Sequence, residues 1–204
     1  MRRKPSFAVT SRALPGSLLP FLFSSGALVK YDSVLVLIAL LVAVVAAIFD
    51  VREHRIPNLL TYPAMLAGVL LRWMWLGRAG LISAVEGVLV AGGVMLLFYA
   101  VRAMGAGDVK LMAAIGSFVG PHTSLMVLIG TGICGGVLGI IYVLYRGRMV
   151  ATLKNTLSVL RFHAWAGLKA HPEFNLDNPA TLRLPYGLAI ALGTLFTFVT
   201  IWWR

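Results

Sequence analysis

The stretch VLVLIALLVAVVAAIF, residues 34–49, carries no polar side chain and runs straight into an aspartate, Asp50. A run this apolar reads as a helix crossing a bilayer, whose hydrocarbon core takes about 20 mostly apolar residues with latitude for tilt and burial. The composition extends that reading to the whole chain. It is 59% hydrophobic and 12% charged, with a mean hydropathy of +0.89, well beyond the roughly 45–50% apolar content of a soluble domain.

Working outward, apolar runs recur at 57–76, 81–101, 124–145 and 184–203. A shorter run, 111–119, is bounded by Lys110 and by Gly120-Pro121, and is either a short helix or half of a broken one. It counts as a span, because without it the basic residues fall on inconsistent sides. The expected architecture is an all-α polytopic membrane protein with about six transmembrane helices.

Lys and Arg near span ends report the cytoplasmic side. With the 50–56 loop inside, Arg52, Arg55, Arg102, Lys110 and the basic residues of 146–183 fall inside, leaving Arg78 and Arg204 outside. The N-terminal segment, 1–33, breaks the pattern, since Arg2, Arg3, Lys4, Arg12 and Lys30 would lie outside. A re-entrant or extra span over 13–29 repairs it; a signal-like segment is the weaker alternative, because two prolines interrupt it and no small-residue cleavage site follows. The membrane-embedded domain is therefore placed at 34–204. Within it, Leu153, Leu157, Leu160, Ala164 and Leu168 recur at helical spacing, which predicts a cytoplasmic amphipathic helix, followed by a turn-rich loop, over 146–183.

Acids are scarce, seven against eighteen Lys and Arg for a net charge of +11. In a polytopic chain this excess points to cytoplasmic loops and anionic lipid as a partner, and no basic stripe with interleaved aromatics speaks for nucleic acid. A lone cysteine, Cys134, excludes an intrachain disulfide and a Cys-rich zinc site.

Two of the acids stand out by parity. Asp50 ends one span, and the chain crosses and returns before reaching Asp108, inside MGAGDVK, residues 104–110. Both carboxylates face one compartment, the cytoplasm by the loop charges. Neighbouring carboxylates share a proton, so that one acts as base and the other as acid. Such a pair can activate water and protonate a leaving amine. Gly105 and Gly107 would leave room for a substrate backbone. Read from the residues alone, the same acids also suit solvated helix ends, or an ion or proton site in a small transporter subunit. Glu86 is expected near the outer interface, or paired with Arg72 or Arg78.

FDVREHRIPNLLTYP (49–63), GAGDVKLMAAIG (105–116) and LPYGLAIALG (184–193) together resemble, in order, the signatures of the type IV prepilin peptidases. These are membrane aspartic peptidases with a GxGD motif. The resemblance implies Asp50 and Asp108 as the catalytic pair. Gly105, Gly107, Pro57, Asn58, Lys110, Pro185 and Gly187 would shape the loops or meet substrate. Some members carry a second Asp where this chain has Asn58, which leaves Asp50 as the candidate. Lys110 would favour an ionised carboxylate or meet lipid phosphate. His54 would reach Asp50 only if the helix continued, and a surface imidazole is the plainer expectation.

The resemblance further implies no metal or cofactor, a pilin-like precursor as substrate, and a multi-pass protein of the bacterial inner membrane. With a single cysteine, the chain is similar to the short form without a zinc-binding methyltransferase domain, as in tight-adherence pilus systems and archaeal preflagellin peptidases. No oligomeric state follows from the sequence.

Overall fold

The computed structural model describes residues 25–145, 158 and 185–203. Its secondary structure is helical, with no strand among the described residues: α1 is Ser25–Glu53, α2 Asn58–Ala100, α3 Ala106–Tyr145 and α4 Tyr186–Trp202. Three of these helices, α1 from Ser33 onward, α2 and α3, are long and apolar enough to cross a membrane, and α4 is a shorter apolar helix. Large apolar side chains such as Leu41, Leu66, Leu89 and Ile129 face outward. Exposure of this extent suits lipid better than water.

A straight helix of 43 residues would be about 64 Å long, twice the ~30 Å hydrocarbon core. α2 does not run straight. Gly77 leaves helical geometry at φ 60° and ψ −142°, a left-handed φ that glycine adopts without steric cost. The chain folds back there. A side chain on Gly80 would overlap the carbonyl of Arg72, eight positions earlier, where a continuous helix would hold them about 12 Å apart. Gly68 and Gly87, on either side of the turn, both meet α3, at Ser117 and Gly116. In α3, Gly120 (φ 76°, ψ 176°) makes the corresponding break, followed by Pro121. Thus α2 comprises arms 58–76 and 78–100, and α3 comprises arms 106–119 and 121–145. The apolar runs separated in the sequence at 57–76, 81–101, 111–119 and 124–145 each fall, to within one residue, inside one of these arms.

The first arm of α3 is the centre of the fold. Leu111 through Gly120 are all buried, which explains why this short segment shows no polar face: a helix enclosed on every side needs none. Arm 78–100 approaches it through Gly87 against Gly116 and Gly92 against Ala113, close packing of the kind small residues permit between membrane helices. At the Gly120 end, the buried Arg72 guanidinium donates a 2.6 Å hydrogen bond to the Phe118 carbonyl, one of the carbonyls a helix end leaves without an intrahelical partner. Glu86 lies exposed on α2.

At the opposite end, two non-glycine residues in left-handed conformation stop the helices. His54 (φ 50°) donates its N–H to the Asp50 carbonyl at 2.9 Å, closing α1. Arg102 (φ 56°) and Ala103 donate to Tyr99 and Phe98 carbonyls, closing α2 with paired reverse bonds. The helix therefore does not continue through His54, whose side chain is exposed.

The helix α1 begins at Ser25 and runs unbroken through residue 29 and across the 33/34 boundary drawn from the sequence. The rest of the expected N-terminal span, 13–24, lies outside the described residues. So does the expected amphipathic helix and loop of 146–183, apart from residue 158, which is helical.

Candidate active site

Every residue singled out by the motifs comes to one end of the helix bundle. Asp50 lies in the last turn of α1 and is 8% exposed. Its Oδ2 accepts a 2.7 Å hydrogen bond from the Gly187 N–H, in the first turn of α4. The first N–H groups of a helix lack intrahelical partners and carry the positive end of the helix dipole, so a carboxylate there is both bonded and electrostatically favoured. Pro185 sets up the donor. It precedes the first helical residue at φ −68°, has no side chain to cap the helix, and leaves the exposed N–H groups to Asp50. Gly187 is what lets the acid in: a Cβ there would sit 2.9 Å from Asp50 Oδ2 and 3.0 Å from Asp50 Cβ.

Asp108 reaches a helix N-terminus by a shorter route. It lies in the first turn of α3, where its carboxylate folds back to accept the Gly105 N–H, the arrangement an acidic residue adopts at the third position of a helix. A Cβ on Gly105 would come within 3.2 Å of that carboxylate. Asp50 and Asp108 lie near enough for the charge on one to act on the other. Tyr186, beside Gly187, lies within reach of the Asp108 charge as well, and its ring packs 3.2 Å from the position a Cβ would take on Gly135.

The loop between α1 and α2 forms the remaining wall. Pro57 opens α2 at φ −68° and ψ 136°, and its carbonyl accepts the N–H of Leu60 at 3.0 Å. Asn58 Oδ1 accepts a 2.9 Å hydrogen bond from Lys110 Nζ, and the same ammonium lies 5.0 Å above the Tyr62 ring. Lys110 thus ties the second turn of α3 to the first turn of α2 through Asn58, a partner that neither of its sequence readings named.

The glycines of the GAGD stretch have close neighbours. Neither has a positive φ. The space beside Gly107 is filled by Ile56, whose Cβ lies 3.2 Å from where a Gly107 Cβ would be, and the space beside Gly105 by Asp108 itself. At both positions the missing Cβ leaves place for a neighbouring side chain. Ile56, Tyr62 and Tyr186 were not singled out in the sequence, although each is next to, or a helical turn from, a residue that was. Among the described residues, no group of three His, Cys, Asp or Glu side chains is placed to hold a metal ion.

A family model described as the type IV leader peptidase family matches residues 35–140, just over half of the 204 residues. The chain belongs to the type IV leader peptidase family. Asp50 and Asp108 fall within the matched region, whereas Pro185 and Gly187 lie beyond it.

Among curated relatives of this family member, the type 4 prepilin-like proteins leader peptide-processing enzyme of Escherichia coli O78:H11 is 32% identical over 131 residues, 59% of this chain and 45% of the relative. The prepilin leader peptidase/N-methyltransferase of Burkholderia pseudomallei is 31% identical over 153 residues, covering 72% and 48%. That of Myxococcus xanthus is 34% identical over 128 residues, covering 60% and 38%. The chain spans less than half the length of these relatives. No solved structure matches it.

Proposed function

We propose that this protein is a membrane-embedded aspartic endopeptidase that removes the leader peptide from type IV pilin-like precursors at the cytoplasmic face of the bacterial inner membrane. The observation that carries the reading is the meeting of Asp50 and Asp108 at one end of the bundle, each with a backbone N–H from a helix N-terminus. Within that reading, α1, the two arms of α2, the two arms of α3, and α4 each cross the bilayer. The dyad end carries Arg52, Arg55, Arg102 and Lys110 and faces the cytoplasm by the charge rule.

In the proposed reaction, one carboxylate is ionised and takes a proton from a water lying between the pair. The water oxygen attacks the scissile carbonyl carbon, and the protonated partner hydrogen-bonds the carbonyl oxygen as charge develops on it. The proton taken from water then passes to the leaving amine as the C–N bond breaks. Gly187 and Gly105 hold the two acids in register through their N–H groups. Lys110 and Asn58 add one surface hydrogen bond between α3 and α2.

The test is co-expression with a pilin precursor, following leader removal by gel mobility. Asp50→Asn and Asp108→Asn preserve shape and an acceptor oxygen, so both variants are expected at normal membrane abundance with the precursor uncleaved. Normal processing by either one removes the dyad.

A further inference from the structure

Tyr186 is the first residue of α4, and the N–H that Gly187 donates to Asp50 at 2.7 Å belongs to the peptide unit joining Tyr186 to Gly187. The contact that fixes one acid therefore also fixes the backbone that carries this ring. The far end of the ring is seated by α3. A Cβ on Gly135 would come 3.2 Å from the ring's Cε2 and 3.5 Å from its hydroxyl oxygen, so the glycine leaves the ring edge and the hydroxyl the space they occupy. The residue is half-buried and lies within reach of the Asp108 charge, yet no hydrogen bond joins the phenol to that carboxylate. Among the described residues the hydroxyl has no other hydrogen-bond partner either. A phenol has one hydrogen to donate, and a tyrosine O–H taken from water usually finds an acceptor.

Resting on the peptidase reading above, we propose that the Tyr186 hydroxyl donates a hydrogen bond to the scissile carbonyl oxygen as negative charge develops on it, a second donor beside the protonated aspartate. The phenol keeps its proton throughout, and no covalent bond forms or breaks at it. The ring is held at both ends, by the Asp50–Gly187 contact and by the seat at Gly135, so the donor needs no rearrangement as the charge appears. Donors fixed in advance in this way stabilise a developing oxyanion most. Its backbone adjoins the Asp50 contact and its charged neighbour is Asp108, so a substrate group lying between the acids and the phenol meets all three. The other donors at this end are placed differently: Lys110 Nζ is held by Asn58 and lies above the Tyr62 ring, and His54 is exposed. Tyr186 also lines, with Pro185 and Tyr142, a groove of about 390 Å³ between arm 121–145 and α4, so an entering chain can reach the ring from that side.

Tyr186→Phe tests the assignment, because it keeps the ring and its seat and removes only the hydroxyl. With the full chain in liposomes and a pilin precursor as substrate, kcat is expected to fall at least about tenfold, with 10²–10³-fold the loss typical of one oxyanion donor, while KM and membrane abundance stay within about twofold. A pseudopeptide carrying a phosphinate in place of the scissile amide supplies the second readout, since it presents a charged oxygen where the carbonyl oxygen becomes charged. Tyr186→Phe should weaken its binding by about the factor lost from kcat/KM. Unchanged kcat in Tyr186→Phe overturns the assignment, and so does equal weakening of substrate and phosphinate, which is the mark of a packing wall rather than a donor. Gly135→Ala presses on the ring edge from the other side, and it should slow the unmodified chain severalfold yet add little to Tyr186→Phe. Losses that simply multiply also overturn the assignment. Cleavage by the unmodified chain with full turnover in Tyr186→Phe sinks the phenol and leaves the peptidase reading standing, whereas no cleavage by the unmodified chain sinks both.

Discussion

Asp50 accepts a 2.7 Å hydrogen bond from the N–H of Gly187, across 137 positions of sequence. This single contact fastens the end of α1 to the beginning of α4 and fixes one carboxylate of the candidate dyad. Because the donor is a backbone group, its position depends on the fold of α4 rather than on a side-chain rotamer. Glycine is required at 187 by space alone, since any Cβ would press on the carboxylate it serves.

Gly187→Ala should therefore lower turnover far more than abundance. A displacement of the acid by about 1 Å is enough to cost on the order of 10²-fold in rate, and the helix itself gains propensity from alanine. Turnover and membrane abundance measured together check this. Full activity in Gly187→Ala would show that Asp50 does not depend on the contact.

Gly107 and Ile56 form a matched pair of small and large. Gly107→Val is expected to impair processing by pushing the α1–α2 loop from α3, and Ile56→Ala in the same chain should recover part of the loss, because contacting residues are not additive. The double-mutant cycle for leader cleavage is the measurement, and simple additivity would contradict the packing account.

The Lys110 contact with Asn58 lies on the surface, where solvent weakens such pairs. Lys110→Met and Asn58→Ala should each cost about 1 kcal/mol of stability or less, with the double variant no worse than the single ones. A loss of activity in Lys110→Met as deep as that of an aspartate variant would give the ammonium a direct part in the chemistry.

Gly87 and Gly116 test the scaffold apart from the site. A side chain on either would collide with the backbone of the other arm, so Gly116→Leu should abolish accumulation of folded protein, whereas Gly93→Leu, with open space around it, should accumulate normally. Quantitative blots of membrane fractions distinguish the two.

Much of this architecture is legible in the chain because lipid imposes uniform demands on it. Apolar runs mark the arms, and Gly77 and the Gly120-Pro121 pair lie at the gaps between them. Basic residues flanking Asp50 and Asp108 put both acids on one side. What the sequence conceals is contact. Glycines 105 and 107 read as room for a substrate backbone, and nothing local indicates that Ile56 and the Asp108 carboxylate lie beside them. Lys110 reads as a partner for acid or lipid because its neighbours Asn58 and Tyr62 are distant in sequence. His54 and Arg102 take the left-handed conformation usually left to glycine, so the helix ends they form carry no glycine signal. The bond from Gly187 to Asp50 joins two motifs that the sequence shows separately.

The central claim, that Asp50 and Asp108 act as one catalytic unit, is tested most directly by turnover of a pilin precursor with purified protein in liposomes. Asp50→Asn, Asp108→Asn and the double variant are compared with the unmodified chain. Each single substitution should lower kcat by about 10²–10⁴-fold or more, and the double variant should fall no further than the worse single one, since groups that act as a unit are strongly non-additive. Near-normal turnover in either single variant, or losses that simply multiply in the double variant, would contradict the account.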